Sequence, residues 1–271
     1  MEFSSSPVFA LSTGRSGSTL VQRILNCHPD LVMWGEHFGF LNGFANVYDK
    51  MTGPDFKQYP ATPGENRGPS LLLPTLSDPA APLEWVNPWS LEEFKDQLRD
   101  FIEGYFARRL NPGIRWGFKE ILYNTRPVMR LLHDLYPAAR FIFIRRDPIE
   151  VTRSKVFAFV KESRWSDFAL SAREAKIRQM LEEVQGHYRV YADFTNRHPE
   201  NSMYVDYEVL VAEPHETTVR MLEHAGLDVA RYDWSLAKQV LGNVSSKTKR
   251  DDAVVALIHE VAAKMAASSP E

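Results

Sequence analysis

Residues 12–19 read S-T-G-R-S-G-S-T. They stand between an apolar run, V-F-A-L at 8–11, and a helix-like run, L-V-Q-R-I-L-N at 20–26. Strand, small-residue loop and helix in that order are the layout of a phosphate cradle. Gly14 and Gly17 let the backbone turn tightly and come close to an anion. A helix starting near Ser18 presents free amide N–H groups and the positive end of its dipole. Ser16, Ser18 and Thr19 add hydroxyl donors. Arg15 adds a planar, permanently charged fork suited to phosphate or sulfate oxygens. The nucleoside-triphosphatase loop ends in Gly-Lys-Ser/Thr, whereas here Ser18 follows Gly17, which disfavours ATP with magnesium. The plain alternative is a polar strand-to-helix turn.

The rest of the chain repeats the layout. Short apolar runs near 8–11, 32–33, 116–119, 141–144 and 203–205 alternate with helical patterns at 18–26, 90–110, 127–136, 166–196, 215–225 and 252–267. Alternation of this kind predicts an α/β fold, a mostly parallel central sheet flanked by helices. The second of these helices opens on a capping box, Ser90-Leu91-Glu92-Glu93. One domain over 1–271 is expected, with a proline-rich insert at about 53–89. Eight prolines in that stretch exclude helix and sheet and predict an excursion over the sheet edge, a lid or a surface loop.

A second strand, Phe141-Ile142-Phe143-Ile144, delivers Arg145 and Arg146 to its carboxyl end, and a helix carrying Val151 and Ser154 follows. Ligands of open α/β sheets bind at that edge. Surface charge with Asp147 as partner is the alternative for either arginine. Glu36 follows the second strand near the first loop, where a carboxylate can accept a proton from a hydroxyl. His37 is the rival base, since imidazole titrates near neutrality. Lys119 ends the third strand; it either neutralises charge at the site or is a solvated edge lysine paired with Glu120. Tyr207 and Glu208 close the last strand-like run, with Glu208 orienting a basic residue or capping the next helix. The aromatic H-F-G-F-L-N-G-F run at 37–44 either lines an apolar site or belongs to the core.

Formal net charge is −3, which argues against bulk binding to nucleic acid. The single cysteine, Cys27, permits no intramolecular disulfide and fits a reducing compartment. The N-terminus lacks the charged and apolar regions of a signal peptide, and no apolar stretch is long enough for a membrane span. A cytoplasmic protein is expected. The scattered histidines lack metal-ligand spacing, and no metal site is predicted.

Taken in order, these segments resemble the sulfotransferases that use 3′-phosphoadenosine 5′-phosphosulfate (PAPS). The similarity rests on T-G-R-S-G-S-T, on H-P-D-L-V-M-W-G-E-H-F at 28–38, on W-G-F-K-E at 116–120, on R-D-P-I-E-V-T-R-S at 146–154, and on V-D-Y-E-V-L-V-A-E-P at 205–214. Arginine at position 15 points to the bacterial, carbohydrate or tyrosylprotein branches. The resemblance implies a P-loop-like sulfotransferase architecture. It also implies an enzyme that moves a sulfuryl group from PAPS to a hydroxyl or amine by in-line displacement, without a metal. By that resemblance Arg15, Ser16, Gly17, Ser18 and Thr19 grip the 5′-phosphosulfate, and Arg146 and Ser154 the 3′-phosphate. Glu36 is the general base, and Arg15 and Lys119 offset charge on the leaving group. The basic run 245–250 is either a solvated charge run or, by the resemblance, a late loop in which Lys247 or Lys249 closes over the nucleotide. The acceptor is left open among small molecules, carbohydrates, lipids and peptide tyrosine, as is the oligomeric state. Two other readings stand beside this one: a non-catalytic binder of the nucleotide or a sulfated ligand, and a nucleoside-triphosphate-dependent kinase.

Overall fold

The computed structural model describes residues 6–53, 77, 80, 90–159, 165, 167–242 and 252–268. In the first half of the chain β1 (Val8–Ser12) leads to α1 (Ser18–Leu25), β2 (Leu31–Trp34), α2 (Leu41–Met51), α3 (Leu91–Phe106), β3 (Arg115–Glu120) and α4 (Arg126–Leu135). Then come β4 (Arg140–Arg145), α5 (Pro148–Phe159), α6 (Leu170–Arg197), β5 (Ser202–Asp206), α7 (Tyr207–Ala212), α8 (Pro214–His224), α9 (Trp234–Gly242) and α10 (Asp252–Ser268). Every expected strand is present and longer by one or two residues.

The strands form one sheet in the order β2-β3-β1-β4-β5, with every neighbouring pair parallel. The chain moves to one side of β1 for β2 and β3, then crosses to the other for β4 and β5. The strand order therefore reverses between β1 and β4. A crevice opens there at the carboxyl ends, because the connections after the two strands diverge.

Side-chain alternation divides the core between the two faces. Phe9, Leu11, Trp116, Phe118, Phe141 and Phe143 pack under helices that include α3, α4 and α6. Val8, Ala10, Ile142 and Ile144 pack against α1 and α8 on the other face. Both sheet faces are buried, so the strands read as continuous apolar runs. A third cluster joins α5, α6 and α10 through Val156, Ile177, Leu181 and Ile258. Gly117 lies where β3 meets β1. A Cβ there would stand 2.1 Å from the Val8 carbonyl and 2.6 Å from Met33 Sδ, so only glycine fits.

The capping box at the start of α3 is formed. Glu93 N donates to Ser90 Oγ at 3.1 Å, and Ser90 N donates to Glu93 Oε2 at 2.6 Å. Three details differ from expectation. Only the end of the 37–44 run enters α2: Leu41 is buried, Phe40 and Phe44 are partly buried against the core, and Phe38 is 92% exposed, so the run divides between core and surface. The long helix α6 starts at Leu170 rather than 166. Tyr207 and Glu208 open α7 rather than close a strand. Nearly all of the proline-rich insert, together with Lys247 and Lys249, lies outside the described residues.

Candidate functional site

The loop after β1 reaches the crevice with two left-handed residues, Arg15 at φ 72° and Gly17 at φ 92°. Gly17 is required twice over. Its φ disfavours any side chain, and a Cβ would lie 2.2 Å from Cδ2 of Tyr207. The Tyr207 ring therefore packs directly on the loop. Ser12, Thr13 and Ser16 are fully buried, and none of their hydroxyls has a partner. Thr152 in α5 is buried and unpartnered in the same way. Buried hydroxyls are ordinarily hydrogen-bonded. Three without partners stand together from the end of β1 through the loop that leads into α1, where the helix N-terminus favours an anion.

The loop after β4 supplies the second wall. Arg15 Nε donates to Ser154 Oγ at 3.0 Å. Arg146 reaches the same loop, its Nη1 3.4 Å from the Arg15 carbonyl. Its guanidinium lies 4.5 Å over the Tyr207 ring. Tyr188 fixes the Arg146 backbone: its hydroxyl accepts from Arg146 N at 2.9 Å and donates to Arg146 O at 2.8 Å. The structure thus brings Arg15, Arg146 and Ser154 together. The neighbouring Arg145 turns away and is held by Asp206 at 2.9 and 3.1 Å, stacked on Tyr204. Asp147, offered as an arginine partner, instead caps α5, accepting from Ile149 N at 2.8 Å. Glu208 stands 3.9 Å from Arg146 Nε and accepts from Asp147 N at 3.3 Å, so its hydrogen bond goes to the backbone before α5, and it stands near Arg146 without hydrogen-bonding it.

On the other side of the β1 loop, Lys119 Nζ donates to Glu36 Oε1. Lys119 is almost wholly buried and so is not the solvated edge lysine. Its register partner in β1 is Ala10, which places it on the strand beside the loop. Glu36 is 41% exposed in its side chain, leaving one carboxylate face open. His37, next to it, turns inward. Its Nε2 is 2.6 Å from the Tyr123 hydroxyl and its Nδ1 3.5 Å from the Gly35 carbonyl. Phe40, Phe106, Phe118 and Tyr123 meet its ring edge-on. Burial pushes its pKa down, against the opposing pull of Glu120.

Glu120 is the residue that sequence reasoning misplaced. It is fully buried and does not pair with Lys119. Its Oε2 accepts from His37 N at 3.0 Å and Gly39 N at 3.1 Å. Its Oε1 accepts from Ile121 N at 2.8 Å and Leu122 N at 3.2 Å. One carboxylate so ties the segment carrying Glu36 to the strand end carrying Lys119. Strand alternation was the available signal, since adjacent residues of β3 face opposite ways.

A model of the sulfotransferase family matches residues 7–231. The chain belongs to that family. Solved sulfotransferases share its fold. The sulfotransferase from Alicyclobacillus acidocaldarius superposes with a TM-score of 0.51 at 15% identity, covering 97% of this chain and 94% of that one. Sulfotransferase STF9 from Mycobacterium avium superposes with a TM-score of 0.54 at 14% identity, covering 97% of this chain and 76% of that one. No curated protein matches in sequence. No described helix of this sulfotransferase is long and apolar enough to cross a membrane. Among its described residues no group of three His, Cys, Asp or Glu is placed to hold a metal ion.

Proposed function

We propose that this sulfotransferase uses PAPS as donor and transfers its sulfuryl group in line to a hydroxyl or amine of the acceptor. The observation that carries this reading is the convergence at one sheet edge of the unpartnered hydroxyls of Ser12, Thr13 and Ser16 with two charged groups: Arg15–Ser154–Arg146 on one flank and Lys119–Glu36 on the other.

The loop amides, with Ser18 and Thr19, hold the 5′-phosphosulfate. Arg146 and Ser154 take the 3′-phosphate, which separates this nucleotide from ATP and ADP. Glu36 removes the proton of the acceptor while its oxygen or nitrogen bonds to sulfur. The bond from sulfur to the 5′-phosphate oxygen breaks, and 3′-phosphoadenosine 5′-phosphate (PAP) leaves with the electron pair. Lys119 and Arg15 offset the charge that grows on that phosphate. Glu36 is favoured over His37 by geometry, because both imidazole nitrogens are engaged and the Glu36 carboxylate has an open face.

Calorimetric titration tests the donor reading. PAP is expected to bind in preference to ADP, and Arg146→Ala to weaken PAP by about ten- to a hundredfold, the range for charged hydrogen bonds. Equal affinity for PAP and ADP, or none for PAP, would overturn it.

A further inference from the structure

Glu36 also lines a pocket of about 690 Å³. Its walls come from the end of β2 and the end of α3, including Trp34, Tyr105, Phe106, Arg108 and Arg109, and Glu36 stands at its edge. Two features define what it fits. The first is aromatic surface: Tyr105 is 65% exposed and Trp34 37%, and Trp34 is fixed by its Nε1–H donating to the Phe106 carbonyl at 2.8 Å. Exposed rings, one of them anchored, offer a flat face to a sugar or aryl ring.

The second feature is charge. Lys119 and Glu36 cancel each other at the inner wall. Burial pushes the pKa of His37 down, against the pull of Glu120, and its ring faces inward to Tyr123 rather than to the outer wall. Arg108 and Arg109 are exposed, and neither has a carboxylate partner among the described residues. Two guanidinium groups without a carboxylate partner among the described residues thus border this pocket in a protein whose net charge is −3. Arginines after a helix C-terminus do complement its dipole. That role needs no aromatic pocket beside them and no adjacent base.

From this juxtaposition we infer that the acceptor is anionic: a hydroxyl-bearing ring compound that also carries a carboxylate, sulfate or phosphate group. Arg108 and Arg109 hold the anion at the outer wall, Trp34 and Tyr105 flank the ring, and the hydroxyl is directed to Glu36. Charge at the outer wall selects the acceptor and steers it in. The inference rests on the donor reading above, which supplies the role of Glu36.

The test uses enzyme saturated with PAP, titrated calorimetrically with 4-nitrophenyl β-D-glucuronide and with its neutral twin, 4-nitrophenyl β-D-glucoside. The glucuronide is expected to bind about tenfold more tightly, as two exposed charged contacts allow. The gap should close in the Arg108→Ala/Arg109→Ala double variant, while PAP affinity stays as in wild type. Equal affinity for the twins, binding of neither, or a gap that survives the double substitution overturns the inference. Failure of wild type to bind PAP would instead strike the donor reading, so the two failures are separable.

Discussion

Replacing Glu120 by glutamine changes one atom for another of nearly equal size, yet it is expected to be among the most damaging conservative substitutions in this chain. Each carboxylate oxygen accepts two backbone N–H groups. An amide offers one oxygen and one NH2. Whichever way it is turned, two backbone donors lose their acceptor and face another donor. The site is fully buried, so water does not replace the lost oxygen. Each buried unsatisfied donor costs about 1–3 kcal/mol, giving about 2–6 kcal/mol for the pair. Relief from burying a negative charge offsets part of this, which places the expected loss near the lower end, about 2–3 kcal/mol. That is a sizeable share of the 5–15 kcal/mol typical of a folded domain. Urea unfolding of wild type and Glu120→Gln measures it. Because His37 N and Gly39 N flank the segment that carries Glu36, turnover of the folded variant should fall as well. A stability loss below about 0.5 kcal/mol, the range of neutral surface changes, would refute the reasoning.

Other substitutions separate the parts of the site. Gly17→Ala forces a Cβ into a left-handed backbone and into the Tyr207 ring; a cost of about 1–2 kcal/mol from the backbone alone should appear as a lower melting temperature with weaker PAP binding. Unchanged melting and binding would contradict the described loop. Glu36→Gln should lower kcat by about a hundredfold or more while PAP affinity stays within about twofold; full turnover would remove Glu36 as the base. Arg145→Met breaks a half-exposed pair with Asp206. It should cost at most about 1 kcal/mol and leave PAP affinity intact, unlike Arg146→Ala. Burial holds His37 and His224 below the ordinary imidazole value of 6.5. The unfolded chain therefore binds more protons below that pH, so their contribution to stability is full above 6.5 and is lost as pH falls beneath it. The urea midpoint should be lower at about pH 5.5 than at about pH 7.5, and a rise would contradict the sign.

Fold and site were legible to different depths, for physical reasons. The strands stood out because both faces of the sheet are covered, which makes 8–11 and 141–144 unbroken apolar runs flanked by turn residues. The first loop stood out because glycine at 17 and arginine at 15 meet local demands of backbone and charge. Helix α2 was obscured, since glycine at 43 and a crowd of aromatic residues mask its period, and its buried face is set by tertiary packing. Pair identities were the least legible. Sequence adjacency suggested Arg145 with Asp147 and Lys119 with Glu120, whereas the partners are Asp206 and Glu36, 61 and 83 residues away. Parallel strands bring such residues together through crossovers, and no local pattern records the register. Tyr207 and Tyr188, which floor the loop and hook Arg146, were hidden for the same reason.

A crystal structure of the PAP complex tests the central claim most directly. The 5′-phosphate should lie within the 12–19 loop, and the 3′-phosphate should contact Arg146 and Ser154, with Ser154 Oγ released from Arg15. A nucleotide bound outside that loop, or a 3′-phosphate remote from Arg146, would contradict the account.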